Sequence, residues 1–184
     1  MIKHLILFAV SFLFIGNSYS QDKIVIKQVS SESSCRQCTG KLIVSNGKLT
    51  DSVFGGQWGY PPDYQIQKIN NTDVLILDDE YGYSGGIRIR QLRILLLDKK
   101  SFLDEIYKKS IILYYEIHRV KNNVPTNYIY TNDPVIKIDN NLEIKKQVII
   151  QECPEINDER CITLKTFEET ELINLSNLVL KKNI

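Results

Sequence analysis

Runs of alternating apolar and polar residues, rich in Ile, Val, Leu and Tyr and broken by Asn, Asp and Gly, fill most of this chain beyond its first twenty residues. A period of two is the mark of half-buried strands. The pattern predicts a first strand over residues 23–29, then a serine-rich link over 30–34. Residues 42–45 and 48–50 flank Asn46-Gly47, a pair that tolerates the positive φ angles of a tight hairpin turn. Strands 64–69 and 73–77 repeat the arrangement around Asn70-Asn71. A Gly-rich loop leads into strand 87–97, and further strands are expected at 110–120, 128–131, 135–138, 142–153 and 161–165. Within 87–97, Leu92, Ile94 and Leu96 share the parity of Arg88 and Arg90, which calls for a bulge or for burial on both faces.

Helical spacing is confined to the end of the chain. Thr166 and Glu169 have the separation of a capping box, Leu172, Ile173, Leu175 and Val179 can share one face, and Lys181 and Lys182 suit the negative end of a helix dipole. Residues 101–109 accept either a helix start or a hairpin strand. The expected fold is therefore mainly β, of the α+β kind: an antiparallel sheet or meander in one domain over 21–184, with a C-terminal α-helix.

The first twenty residues follow a different rule. Lys3 and His4 precede a largely apolar run from Leu5 to Ile15, which holds Ser11, and Ser18-Tyr19-Ser20 places small residues at a cleavage position. This is the layout of a removable export signal, with the mature chain starting at Gln21. The run is too short to span a bilayer, which needs about 20 apolar residues, and Gln21 in place of cysteine excludes a lipoprotein anchor. The expected location is secreted or periplasmic, with no membrane insertion after cleavage.

The whole chain holds 23 Lys and Arg against 22 Asp and Glu, and the leader removes Lys3 alone, so the mature protein is charge-balanced. Nucleic-acid binding rests on an excess of cations over phosphate, so no nucleic-acid partner is expected. Four cysteines, Cys35, Cys38, Cys153 and Cys161, fit two disulfides in an exported chain. Local pairing suits Cys153 and Cys161, which bracket a polar excursion between two strand-like runs; crossed pairings of the four remain open. Thioredoxin-like chemistry needs Cys-x-x-Cys at a helix start, whereas Cys38 leads into the strand-like Lys41 to Val44. The seven residues between Cys153 and Cys161 exceed usual zinc spacing. Neither a metal nor a cofactor is expected.

Loss of His4 leaves His118 as the mature chain's histidine. It shares a strand face with Tyr114 and Glu116, which makes Glu116 and His118 the candidate pair of an alternative reading, a secreted carboxylate-dependent hydrolase. No Gly-x-Ser-x-Gly elbow accompanies them. The acidic stretch Asp78-Asp79-Glu80 lacks the spacing of a calcium loop, and a cross-strand pair between Asp78 and Arg88 accounts for it more simply.

Phe54-Gly55-Gly56-Gln57-Trp58-Gly59-Tyr60-Pro61-Pro62 joins the chain's one tryptophan to two other aromatics through turn-forming glycines. Aromatics presented on such a loop stack on sugars or anchor protein partners. Phe54, Trp58, Tyr60, Tyr81 and Tyr83 are accordingly the candidate partner-binding residues. The leading expectation is a non-enzymatic binding module for a protein or glycan, with no catalytic residue assigned.

Overall fold

The computed structural model describes residues 23–32, 38–83, 86–98, 102–121, 124–154 and 160–182. The expected export signal over 1–20, Cys35 and the side chain of Tyr83 lie outside what is described. Among the described residues, eleven strands form two antiparallel sheets and one helix accompanies them. The smaller sheet joins β1 (Val25–Val29), β2 (Gly40–Ser45) and β3 (Thr50–Gly55) in chain order. The larger begins with β4 (Tyr64–Ile69), β5 (Thr72–Tyr83), β6 (Ile87–Leu97) and β7 (Phe102–Lys121). It continues through β8 (Val124–Asn132), β9 (Val135–Ile138), β10 (Asn141–Cys153) and β11 (Ile162–Asn174), and α1 (Leu175–Lys182) follows.

Both short turns follow their residue chemistry. Gly47 has φ 87° at the β2–β3 turn, where the Asn46 side chain accepts from the backbone N–H of Leu49 at 2.8 Å. Asn70 and Asn71 take φ 49° and 61° between β4 and β5. The meander holds from β4 to β8, and departs from chain order once: β8 and β9 both pair with β10, at residues 148–153 and 142–145 of that strand respectively.

Two hydrophobic cores lie on opposite faces of the larger sheet. On its concave face Val74, Ile76, Leu92, Ile94 and Leu96 pack with Leu142 and Ile144 and with Leu175 and Val179 of the helix. On the other face Leu75, Leu77, Leu95 and Leu97 meet Leu42, Val44 and Val53 of the small sheet. The segments 74–77 of β5 and 94–97 of β6 are thus covered on both sides, which explains the apolar run 94–97.

Bulges supply the rest of the explanation. The β6–β7 register slips at Arg88/Ile89, Ile94/Leu95 and Leu96/Leu97, which leaves Leu113, Ile106 and Leu103 as the extra residues on β7. Ile106 and Leu113 pack into the concave core and Leu103, at φ 58°, into the other. An extra residue bends its strand and strengthens the local twist. The sheet curls far enough for Gln67 on β4 to donate to the Ile138 carbonyl on β9 at 2.9 Å, and α1 bridges β4, β7 and β10 inside the curl.

The helix starts later than its sequence pattern suggests. Thr166 and Glu169 stand opposite Ile149 and Lys146 in the β10–β11 ladder, so the capping-box spacing belongs to a strand. Pairing along the whole length of β10 outweighs a helical turn there. Asn174 is the actual cap: its Oδ1 accepts from the Asn177 backbone N–H at 2.8 Å. Leu175 and Val179, four apart, form the buried stripe, and Lys182 reaches Asp104 at 2.8 Å. The ambiguous residues 102–109 are strand.

Cys153 and Cys161 are bonded, with their Cα atoms 4.3 Å apart. Cys38 is also disulfide-bonded.

Candidate functional site

The aromatic loop connects the small sheet to the large one, and its path is set by close backbone contacts. Gly56, Trp58 and Gly59 all have positive φ, at 74°, 60° and 81°. The Tyr60 N–H donates to Gln57 O at 3.1 Å, Gly59 N–H to Cys38 O at 2.7 Å, and Gly40 N–H to Tyr60 O at 3.0 Å. Ser31 N–H closes the other side onto Gly59 O at 2.7 Å. A Cβ on Gly40 or Gly56 would overlap the backbone at Tyr60 and Pro61, so no larger residue fits where these segments cross.

Contacts with β5 and β6 complete the clamp. Gln57 donates to Gly82 O at 2.8 Å and accepts from Gly82 N–H at 3.2 Å, as a paired strand residue would. Arg93 donates to Phe54 O at 3.0 Å while its Nε holds Glu105 at 2.5 Å. Beneath the loop lies Asp79, buried at 5% exposure, which accepts from Tyr81 Oη at 3.1 Å and from the backbone of Gly56. Burial pushes its carboxyl above the usual range, and the two donated hydrogen bonds offset part of that rise. Burial likewise raises the Tyr81 phenol, with the Asp79 charge adding to it.

Three of the five aromatics expected to meet a partner stand at the surface here. Phe54 is 61% exposed, Trp58 50% and Tyr60 67%. Tyr81 sits behind them, half-buried, with its hydroxyl committed to Asp79. Beside Phe54 opens a shallow groove of about 290 Å³ bordered by Ser30, Ser31, Glu32, Thr39 and Lys41. On the edge strand β4, Tyr64 and Ile66 are also exposed. Asp79, Gln57 and Arg93, which hold this arrangement, escaped the sequence reading; the only available hint was a second acid directly after Asp78 in an otherwise strand-like run.

The hydrolase candidates occupy the far end of β7. Tyr114 Oη donates to Glu116 Oε2 at 3.2 Å, and Glu116 Oε1 lies 3.9 Å from His118 Nδ1. That nitrogen already faces Asn127 Oδ1 at 2.5 Å, and the His118 side chain is 68% exposed. Among the described residues no group of three or more His, Cys, Asp or Glu is placed to hold a metal.

A further cleft lies on the concave face, beyond the end that α1 fills. Its charged wall differs from the expected Asp78–Arg88 pair: Arg88 stands opposite Gly82 and bonds Glu80, while Arg90 stands opposite Glu80 and bonds Asp78 at 2.7 and 2.6 Å. Both pairs are diagonal, each guanidinium reaching two residues back along β5.

No protein-family model, curated protein or solved structure matches this chain.

Proposed function

We propose that the protein is a secreted or periplasmic, non-enzymatic binding module whose aromatic loop receives a protein or glycan partner. The observation that carries this reading is the exposure of Phe54, Trp58 and Tyr60 on a loop whose backbone is fixed from four sides. Rigid aromatics contribute large contact area with little ordering cost, because the loop has few conformations left to lose. The groove beside Phe54 adds hydroxyls and charges of both signs to the apolar platform, a mixture suited to a polar rim around an aromatic anchor. The Cys153–Cys161 bond agrees with an oxidising compartment, and none of the described helices is long and apolar enough to cross a membrane.

The hydrolase reading has less behind it. A general base needs its nucleophile or water held within hydrogen-bond reach in a sheltered pocket, whereas His118 points into solvent.

Trp58 is the chain's one tryptophan, so its emission reports on this loop alone. Titration of the protein with a glycan panel and with fractions of an extracytoplasmic extract should produce a saturable change in Trp58 emission. Saturable binding that leaves the emission unchanged, or turnover of a sugar or peptide substrate, would count against the proposal.

A further inference from the structure

We infer that the concave cleft of the large sheet is a second binding site, one that takes a single unit of a neutral sugar. The cleft has a volume of about 310 Å³, at the lower end of small-molecule pockets and suited to one ring. It lies where the curl opens, next along the same strands from the core that Leu175 and Val179 close. Leu113 and Ile149 give it apolar lining, and Tyr114 adds an aromatic wall. Thr131, Asn132, Asp133 and Gln147 bring polar groups from β8, the bend after it, and β10.

Its charges decide the ligand class. Arg90 is engaged by both Asp78 oxygens and by Pro134 O, and Arg88 by Glu80 Oε1 through two of its nitrogens. Each guanidinium is therefore already neutralised. An anion entering here would have to displace a carboxylate, and it would also meet Asp133, a further acid in the lining. A hydroxyl breaks neither pair, since a guanidinium has five N–H donors and a carboxylate about four acceptor sites. Among the described residues the Arg88 bonds to Glu80 run from two of its nitrogens to Oε1, which leaves the third nitrogen and the other Glu80 oxygen outside this pair. Planar groups fixed in orientation, donors alternating with acceptors, and one aromatic face together match a ring that carries several hydroxyls.

The test compares three probes of one ring size by NMR: N-acetylglucosamine, which is neutral, glucosamine, a cation, and glucuronate, an anion. Glucose and galactose extend the neutral set. A neutral sugar should shift the Gln147 side-chain amide and the backbone amides of Thr131 and Asn132 saturably, with the Trp58 indole unmoved. Glucuronate should bind at least about tenfold more weakly. Gln147→Ala should weaken the neutral sugar, and Arg88→Ala, at a site more than half exposed, should do so with the fold intact. Absence of a saturable shift with every neutral sugar would overturn the inference. So would tighter binding of a charged analogue, or shifts confined to the loop at 54–60. The last result would leave the aromatic loop's role standing, and loss of the loop's binding would leave the cleft's.

Discussion

Asp78 and Asp79 are adjacent on β5, and the alternation of a strand sends them to opposite faces and opposite chemistry. Asp78 lies on the concave face, its side chain 33% exposed, and forms a two-point pair with Arg90. Asp79 faces the small sheet, buried, and receives only neutral donors from Tyr81 and Gly56. The first carboxylate balances a charge and the second holds a loop. One residue type therefore orders two surfaces by different means, and substitutions on the two faces should separate them.

The largest effects test whether both faces are true cores. Ile94 and Leu95 are neighbours, 0% and 2% exposed, one in each core. Ile94→Ala and Leu95→Ala should each lower unfolding stability by about 3 kcal/mol in urea titrations, through lost burial and the cavity left behind. A loss below about 1 kcal/mol for either would mean that its face is loosely packed.

Next in size is the contrast between the acids. Asp79→Ala strands the Gly56 N–H and the Tyr81 hydroxyl, and should cost about 2 kcal/mol while altering Trp58 emission. Asp78→Ala should cost less than about 1 kcal/mol, because its pair is partly solvated, and should leave Trp58 emission as it was. Equal effects of the two on Trp58 would remove the distinction between the faces.

The smallest effect is a pH dependence with a definite sign. The folded Asp79 carboxyl lies above its ordinary 3.8, so between 3.8 and the raised value the folded chain holds more proton than the unfolded one. Stability from this group is present below 3.8, falls as pH rises through that window, and stays lost at neutral pH. Urea midpoints of the wild type minus those of Asp79→Asn should fall across the window and then level off. A difference that rises with pH would reverse the assignment.

Much of this fold was written in local pattern. Asn46-Gly47 and Asn70-Asn71 marked their hairpins, the excursion between Cys153 and Cys161 marked a local disulfide, and Leu175, Val179 and Lys182 marked the helix. What stayed hidden depends on long-range pairing. Thr166 and Glu169 look like a cap until β10 is placed beside them. The three bulges on β7 break the period of two wherever a residue is turned inward, so residues 102–109 match neither template. The division into two sheets is equally invisible locally, because the residues of β5 and β6 that face the small sheet look like those that face the helix. At the aromatic loop the exposed residues were legible from composition. Their support was not, since the burial of Asp79 follows from the small sheet closing over it.

The most direct measurement is affinity capture from an extracytoplasmic extract with two immobilised proteins spanning residues 21–184, the wild type and Trp58→Ala/Tyr60→Ala, both verified as folded by circular dichroism. Both side chains are at least half exposed, so their truncation should spare the fold. A partner retained by the wild type and reduced at least about tenfold by the double variant is the predicted result. Equal retention by the two proteins would contradict the role assigned to the loop.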